Sequence, residues 1–219
     1  MLNKQDRYIN TGLMELISRP QYENSCSMSA LTAVINYLFY EQIGIKTTKE
    51  WAKDIGIQSP EKSMNPGNKI VMEWFNKVCK HYSLQGSCDY FIQGKDLKDW
   101  DNNPQVITKL KNAIKNNKQA LIYHMSNHYN LVIGYFEHST DPDDAYNVSA
   151  KLKRWIILGE HSDYVPFKSI IDTAGRVLPK DKYNLVMDKA TGPIWCRRWR
   201  NIRHDLINTP NHCILSFQK

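Results

Sequence analysis

The sequence has no C-x-x-C pair, although it holds five cysteines: Cys26, Cys79, Cys88, Cys196 and Cys213. That lack argues against a zinc site built from paired motifs. It has no apolar run long enough to span a bilayer. No glycine-rich phosphate loop occurs, which argues against a nucleotide enzyme. The first residues, Met1-Leu2-Asn3-Lys4-Gln5-Asp6, lack the apolar core of a signal peptide. Internal repeats and low-complexity tracts are lacking too. An odd number of unpaired cysteines with no leader gives the expectation of free thiols in a reducing, cytoplasmic compartment, with no membrane.

What is present is enough chain, 219 residues, for one domain with a real core. The net charge of +7 favours acidic partners without defining a nucleic-acid binder. The expected division is an N-terminal extension over 1–18 and a single domain over 19–219. Leu13 to Ile17 forms a short helical patch, and residues 19–26 read as an irregular turn. From Ser27, the residues Met28, Leu31, Val34, Ile35, Leu38 and Phe39 recur at helical spacing up to Gly44. Ser25 is the expected N-cap and Gly44 the stop. The apolar face is wide enough for central burial.

A short helix is expected over Thr47 to Ile55, and a loop over Ser59 to Asn68. Helical spacing resumes with Ile70, Val71, Trp74, Phe75 and Val78, and again over Gln105 to Asn116. Strands are expected at Cys88–Ile92, Ala120–His124, His128–Phe136, Arg154–Glu160 and His212–Phe217. Helices before antiparallel strands is the α+β order.

Cys26 stands where a loop opens a buried helix. Partial positive charge and unpaired N–H groups at a helix start favour the thiolate, the nucleophilic form. His128 opens a strand after a tight turn and is placed to take the thiol proton. Glu160 ends the next strong strand, where a carboxylate would fix the imidazole tautomer and stabilise its cation. Gln21, five residues before Cys26, or its rival Asn24, would donate to a developing oxyanion beside the Cys26 N–H. Donor, nucleophile, His and acid, in that order, is the papain-like arrangement. The expected fold is therefore a papain-like cysteine peptidase fold, with N-terminal helices and a C-terminal antiparallel sheet.

Several short segments carry a wider resemblance. They are Asn24-Ser25-Cys26-Ser27-Met28-Ser29-Ala30-Leu31 through Asn36-Tyr37-Leu38-Phe39, Ile122-Tyr123-His124 with Asn127-His128-Tyr129, Trp155-Ile156-Ile157-Leu158-Gly159-Glu160-His161-Ser162, Cys196-Arg197-Arg198-Trp199 and His212-Cys213-Ile214-Leu215-Ser216-Phe217-Gln218. From about Arg19 to Gln218 the chain resembles the basic immunoglobulin-like variable motif-containing protein family. That resemblance implies an intracellular protein of undefined chemistry. Helices before strands, with no Cys…Trp…Cys spacing, argue against an immunoglobulin sandwich. Against a standard papain-like peptidase, Gln21 is one residue closer to the cysteine, Ser27 replaces the frequent glycine, and the third member is Glu160.

Other clusters carry less. Cys79, His81 and Cys88 form one loose group where zinc wants four ligands, so no metal is expected, and no cofactor. His212-Cys213 begins an apolar strand, and His124 precedes the turn before His128. The stretch Trp195 to Arg203 is basic and aromatic, but without a nucleic-acid motif it reads as a partly buried helix whose tryptophans pack and whose arginines snorkel, and nucleic acid is not the expected partner. Two functions follow. One is a cysteine hydrolase acting on a peptide or protein through a thioester. The other is an inactive scaffold that binds an acidic protein assembly.

Overall fold

A computed structural model describes residues 6–17, 25–58, 66–97, 104–125, 128–147, 151–159, 184–188 and 192–219. In chain order the elements are β1 (Arg7–Ile9), α1 (Thr11–Met14), α2 (Cys26–Ile43), α3 (Thr48–Asp54), α4 (Asn68–His81) and β2 (Ser87–Gln93). There follow α5 (Pro104–Lys115), β3 (Gln119–Met125), β4 (His128–Ser139), β5 (Leu152–Gly159), β6 (Asn184–Asp188), β7 (Gly192–Arg198), α6 (Trp199–Asn208) and β8 (Cys213–Gln218).

The α2 boundaries follow from local chemistry. Gly44 closes the helix at φ +70°, a conformation that costs glycine nothing. Residues Cys26 to Ile35 are all buried, so this half is sequestered on every side, including Ser27, Ser29 and Thr32. The polar members find local partners. Thr32 Oγ1 donates to Met28 O at 2.7 Å and accepts from Trp51 Nε1 at 2.8 Å. Asn36 brackets the Lys46 backbone, with Nδ2 donating to its carbonyl at 2.9 Å and Oδ1 accepting its N–H at 2.8 Å. The short α3 starts with a capping box between Thr47 and Glu50.

Eight strands of the described residues form one antiparallel sheet, ordered β2-β8-β3-β4-β5-β7-β6, with β1 added beside β4. Alternation along the strands builds two cores. Ile122, Leu131 and Leu215 pack under α2, α3 and α4, while Leu121, Val132 and Ile214 pack on the opposite face with α5 and α6. The protein is therefore α+β, with helices covering both faces of the sheet. Within the N-terminal extension, β1 pairs Tyr8 with Tyr135, and Leu13 and Ile17 enter the α2 core. The basic aromatic stretch, read from sequence as one partly buried helix, is the strand β7 followed by α6. Trp195 and Trp199 are buried in the second core, and Arg197 is paired with Asp205. The tryptophans thus serve packing.

Candidate functional site

Cys26 is the first residue of α2 and is buried at 4 % exposure. The helical ladder begins with Ser29 N–H donating to Ser25 O at 2.9 Å, so the preceding N–H groups lie outside it. Ser25 holds the N-cap position without a side-chain capping bond, and no acidic residue stands in the first turn. Among the described residues no acid stands at the positive end of this 18-residue helix, where Cys26 sits. Ser27 Oγ, in the same turn, is buried with no hydrogen-bond partner among the described residues.

His128 is the first residue of β4, half-buried, and pairs with Met125 across the β3–β4 hairpin. The next residue, Tyr129, lies in the Cys26 core, and charge on Cys26 would oppose ionisation of its hydroxyl. His128 in turn lies close enough to His124 to disfavour a second positive charge there. Tyr129 thus neighbours Cys26, and His124 neighbours His128. Strict alternation from Tyr129 would set the His128 ring on the Val132 side. A Cys26–His128 pair requires β4 to turn its first residue toward α2. Glu160, Gln21 and Asn24 lie outside the described residues; Gly159, which precedes Glu160, ends β5 opposite Leu131.

A second set of polar groups adjoins Tyr129, and sequence reasoning reached only His124 of it. His124 lies flat on Tyr129, with ring centroids 4.3 Å apart and planes at 8°. Its Nδ1 meets the Asn211 carbonyl at 2.9 Å. Asn68 Nδ2 donates to the same carbonyl at 2.8 Å. The Tyr129 hydroxyl donates to Pro66 O at 2.7 Å and to Asn68 Oδ1 at 3.2 Å. Burial lowers the His124 pKa to about 4, against the opposing hydrogen bond to Asn211, with His212 and His128 acting in the same direction as burial. Burial also raises the Tyr129 pKa, and pushes Cys213, opposite His124 in the sheet, up to about 12. The signal for this group was split among Asn68, His124, Tyr129 and Asn211, which no local spacing connects.

Among the described residues, no group of three His, Cys, Asp or Glu side chains is placed to hold a metal ion. Cys88 Sγ instead donates to Met72 O at 3.5 Å and Asn76 Oδ1 at 3.4 Å. Burial raises Cys79 and Cys88 to about 11, which leaves both as protonated thiols at neutral pH.

A family model for basic immunoglobulin-like variable motif-containing protein matches residues 4–218. The chain belongs to this family. Curated relatives of that name from Mus musculus and Homo sapiens are each 26 % identical, over 257 and 235 residues, covering 99 % of this chain and 45 % of each relative. A relative of the same name from Giardia intestinalis is 26 % identical over 149 residues, covering 64 % of this chain and 53 % of its own. The chain spans about half the length of the curated relatives it matches. No solved structure matches it. Despite the family's name, the described strands form a single sheet with helices on both faces, not the two facing sheets of an immunoglobulin domain.

Proposed function

We propose that the chain is a papain-like cysteine hydrolase acting on peptide or related amide bonds. The observation that supports it is Cys26 at the start of a buried helix, with His128 opening β4 next to the Tyr129 that neighbours Cys26. In this reading His128 takes the Cys26 proton, and the thiolate attacks the substrate carbonyl. The C–N bond breaks, and His128 returns the proton to the departing amine, leaving a thioester. Water, deprotonated by His128, then cleaves the thioester and regenerates the thiol. Glu160 orients the imidazole, and Gln21 or Asn24 donates to the oxyanion with the Cys26 N–H.

A second reading is an inactive papain-like scaffold that binds an acidic protein assembly. The burial of Cys26 at 4 % exposure favours it, because an inert core thiol looks the same. Variants separate the two. Under the enzyme reading Cys26→Ala and His128→Ala abolish hydrolysis of a peptide-amide library while the protein stays folded. Glu160→Gln lowers the rate less, because it removes a charge but keeps the shape. Wild-type protein with no hydrolysis above the Cys26→Ala background sinks the enzyme reading.

A further inference from the structure

The α4 N-terminus opens on a cleft of about 630 Å³, within the size range of small-ligand sites. Gly67 is the N-cap and carries no side chain, and a Cβ placed there would meet nothing within 4 Å. The N–H groups of Ile70 and Val71 both run to Gly67 O, at 2.9 and 3.3 Å. The N–H groups of Asn68 and Lys69 have no acceptor among the described residues. The 14-residue helix has no acid in its first turn, and Glu73 in its second turn lines the same cleft.

A separate observation comes from the sheet. His124 lines the same cleft at 5 % exposure. Its Nδ1 faces a backbone carbonyl, which only accepts, so Nδ1 carries the proton. The ring is neutral at physiological pH, so Nε2 presents a bare lone pair with no donor among the described residues. Lys69, Glu73 and Tyr90 also line the cleft. Asn211 is held at φ +70°, a left-handed conformation that asparagine tolerates, and its carbonyl receives both His124 Nδ1 and Asn68 Nδ2. Tyr129 closes the back wall through Pro66. Between α4 and β3 the cleft thus offers two N–H donors and one neutral acceptor, beside the side chains of Lys69, Glu73 and Tyr90.

We propose that this cleft is a subsite for a carboxamide group. The amide oxygen accepts from the Asn68 and Lys69 N–H groups, and the amide N–H donates to His124 Nε2. A carboxylate has no hydrogen for Nε2 and sets a negative oxygen against its lone pair. An ammonium would meet the positive end of α4. A group with a carbonyl and an N–H side by side satisfies both walls. Both a glutamine or asparagine side chain and a peptide backbone carry that group. The cleft shares Tyr129 with the Cys26 surroundings. Its use as the substrate subsite beside the nucleophile rests on the hydrolase reading; the binding itself does not.

The test is a titration of the full chain by ¹H–¹⁵N NMR with propionamide, N-methylacetamide and propionate. Propionamide tests the side-chain form, N-methylacetamide the backbone form, and propionate the carboxylate. The proposal expects at least one amide to bind in the millimolar range that such small probes reach, roughly 1–50 mM. Binding moves the Asn68 and Lys69 amide resonances and shifts the His124 Nε2 ¹⁵N signal as its lone pair is engaged. Which amide binds tighter identifies the source. His124→Phe, which keeps the ring on Tyr129, weakens binding about tenfold, the worth of one well-made polar contact. The imidazole shift in wild type decides the matter independently if that variant fails to fold. Cys26→Ala binds as wild type does, which separates this subsite from the nucleophile. Propionate binding as tightly as the amides, or amide binding that leaves the His124 signal in place, or no binding by either amide, overturns the proposal.

Discussion

Acid should destabilise this fold through His124 in a measurable way. Its pKa is pulled from the ordinary 6.5 to about 4, chiefly by burial. Above pH 6.5 the imidazole is neutral in both folded and unfolded chains, and the group contributes no pH dependence. As pH falls through 6.5 the unfolded chain binds a proton that the folded chain refuses until about pH 4. Stability is therefore lost between those values and levels off below them. A shift of this size corresponds to about 3 kcal/mol, and with only 5 % of the residue exposed little of it is screened by solvent. His212 packs its ring edge-on at 6.0 Å and is shifted downward by burial as well, so it adds to the same loss. Urea unfolding at half-unit steps from pH 7.5 to 4 measures the effect. Carboxylates elsewhere also titrate in this window, so the informative quantity is the difference between wild type and His124→Phe. That difference should change by about 3 kcal/mol across the window, in the direction that favours the variant at low pH. An imidazole signal titrating near 6.5, with parallel stability curves for the two proteins, would refute the reasoning.

Three further outcomes follow from the packing. Gly134→Ala places a Cβ 2.5 Å from Tyr8 O, a backbone atom, so β1 must leave β4; the cost should be about 2–3 kcal/mol, read as a fall in Tm of roughly 5–10 °C. Tyr129→Phe strips the donor from buried Pro66 O and should lose about 1–2 kcal/mol in urea unfolding, with unchanged secondary structure by circular dichroism. Lys111→Met removes the ammonium 2.8 Å from Glu137, a residue 8 % exposed that keeps Arg154 at 2.9 Å; about 2 kcal/mol should be lost, and Glu137→Gln in the same chain should restore part of it.

The elements with strong local signals were legible in the sequence. The α2 pattern from Ser27 to Gly44 gave a helix that the structure bounds at Cys26 and Ile43. The strand runs at Cys88–Ile92, Ala120–His124 and His128–Phe136 lie inside β2, β3 and β4. Misses have physical causes. β1 is three residues long, Arg7-Tyr8-Ile9, and exists because β4 offers an open edge beyond β3, which no local pattern reveals. The Trp195–Arg203 stretch has helical spacing in its second half alone, and its first half is drawn into a strand by pairing with β5. Ile70 fits the apolar period of α4 yet is 42 % exposed and lines the cleft, while its neighbour Val71 is buried in the core. At the candidate site the sequence gives Cys26 and His128 their places at a helix start and a strand start. The His124–Asn68–Asn211 frame was hidden because its members meet only through tertiary contacts and a backbone carbonyl.

The central claim is an activated Cys26–His128 pair, and the pH dependence of Cys26 alkylation tests it most directly. A small neutral reagent is used on wild type and His128→Ala, with labelling at Cys26 read by peptide mass spectrometry. The account predicts fast labelling that persists below neutral pH in wild type and slows markedly when His128 is removed. Slow labelling that rises only in alkali and ignores His128 would contradict it, and would leave Cys26 as a core thiol of a binding scaffold.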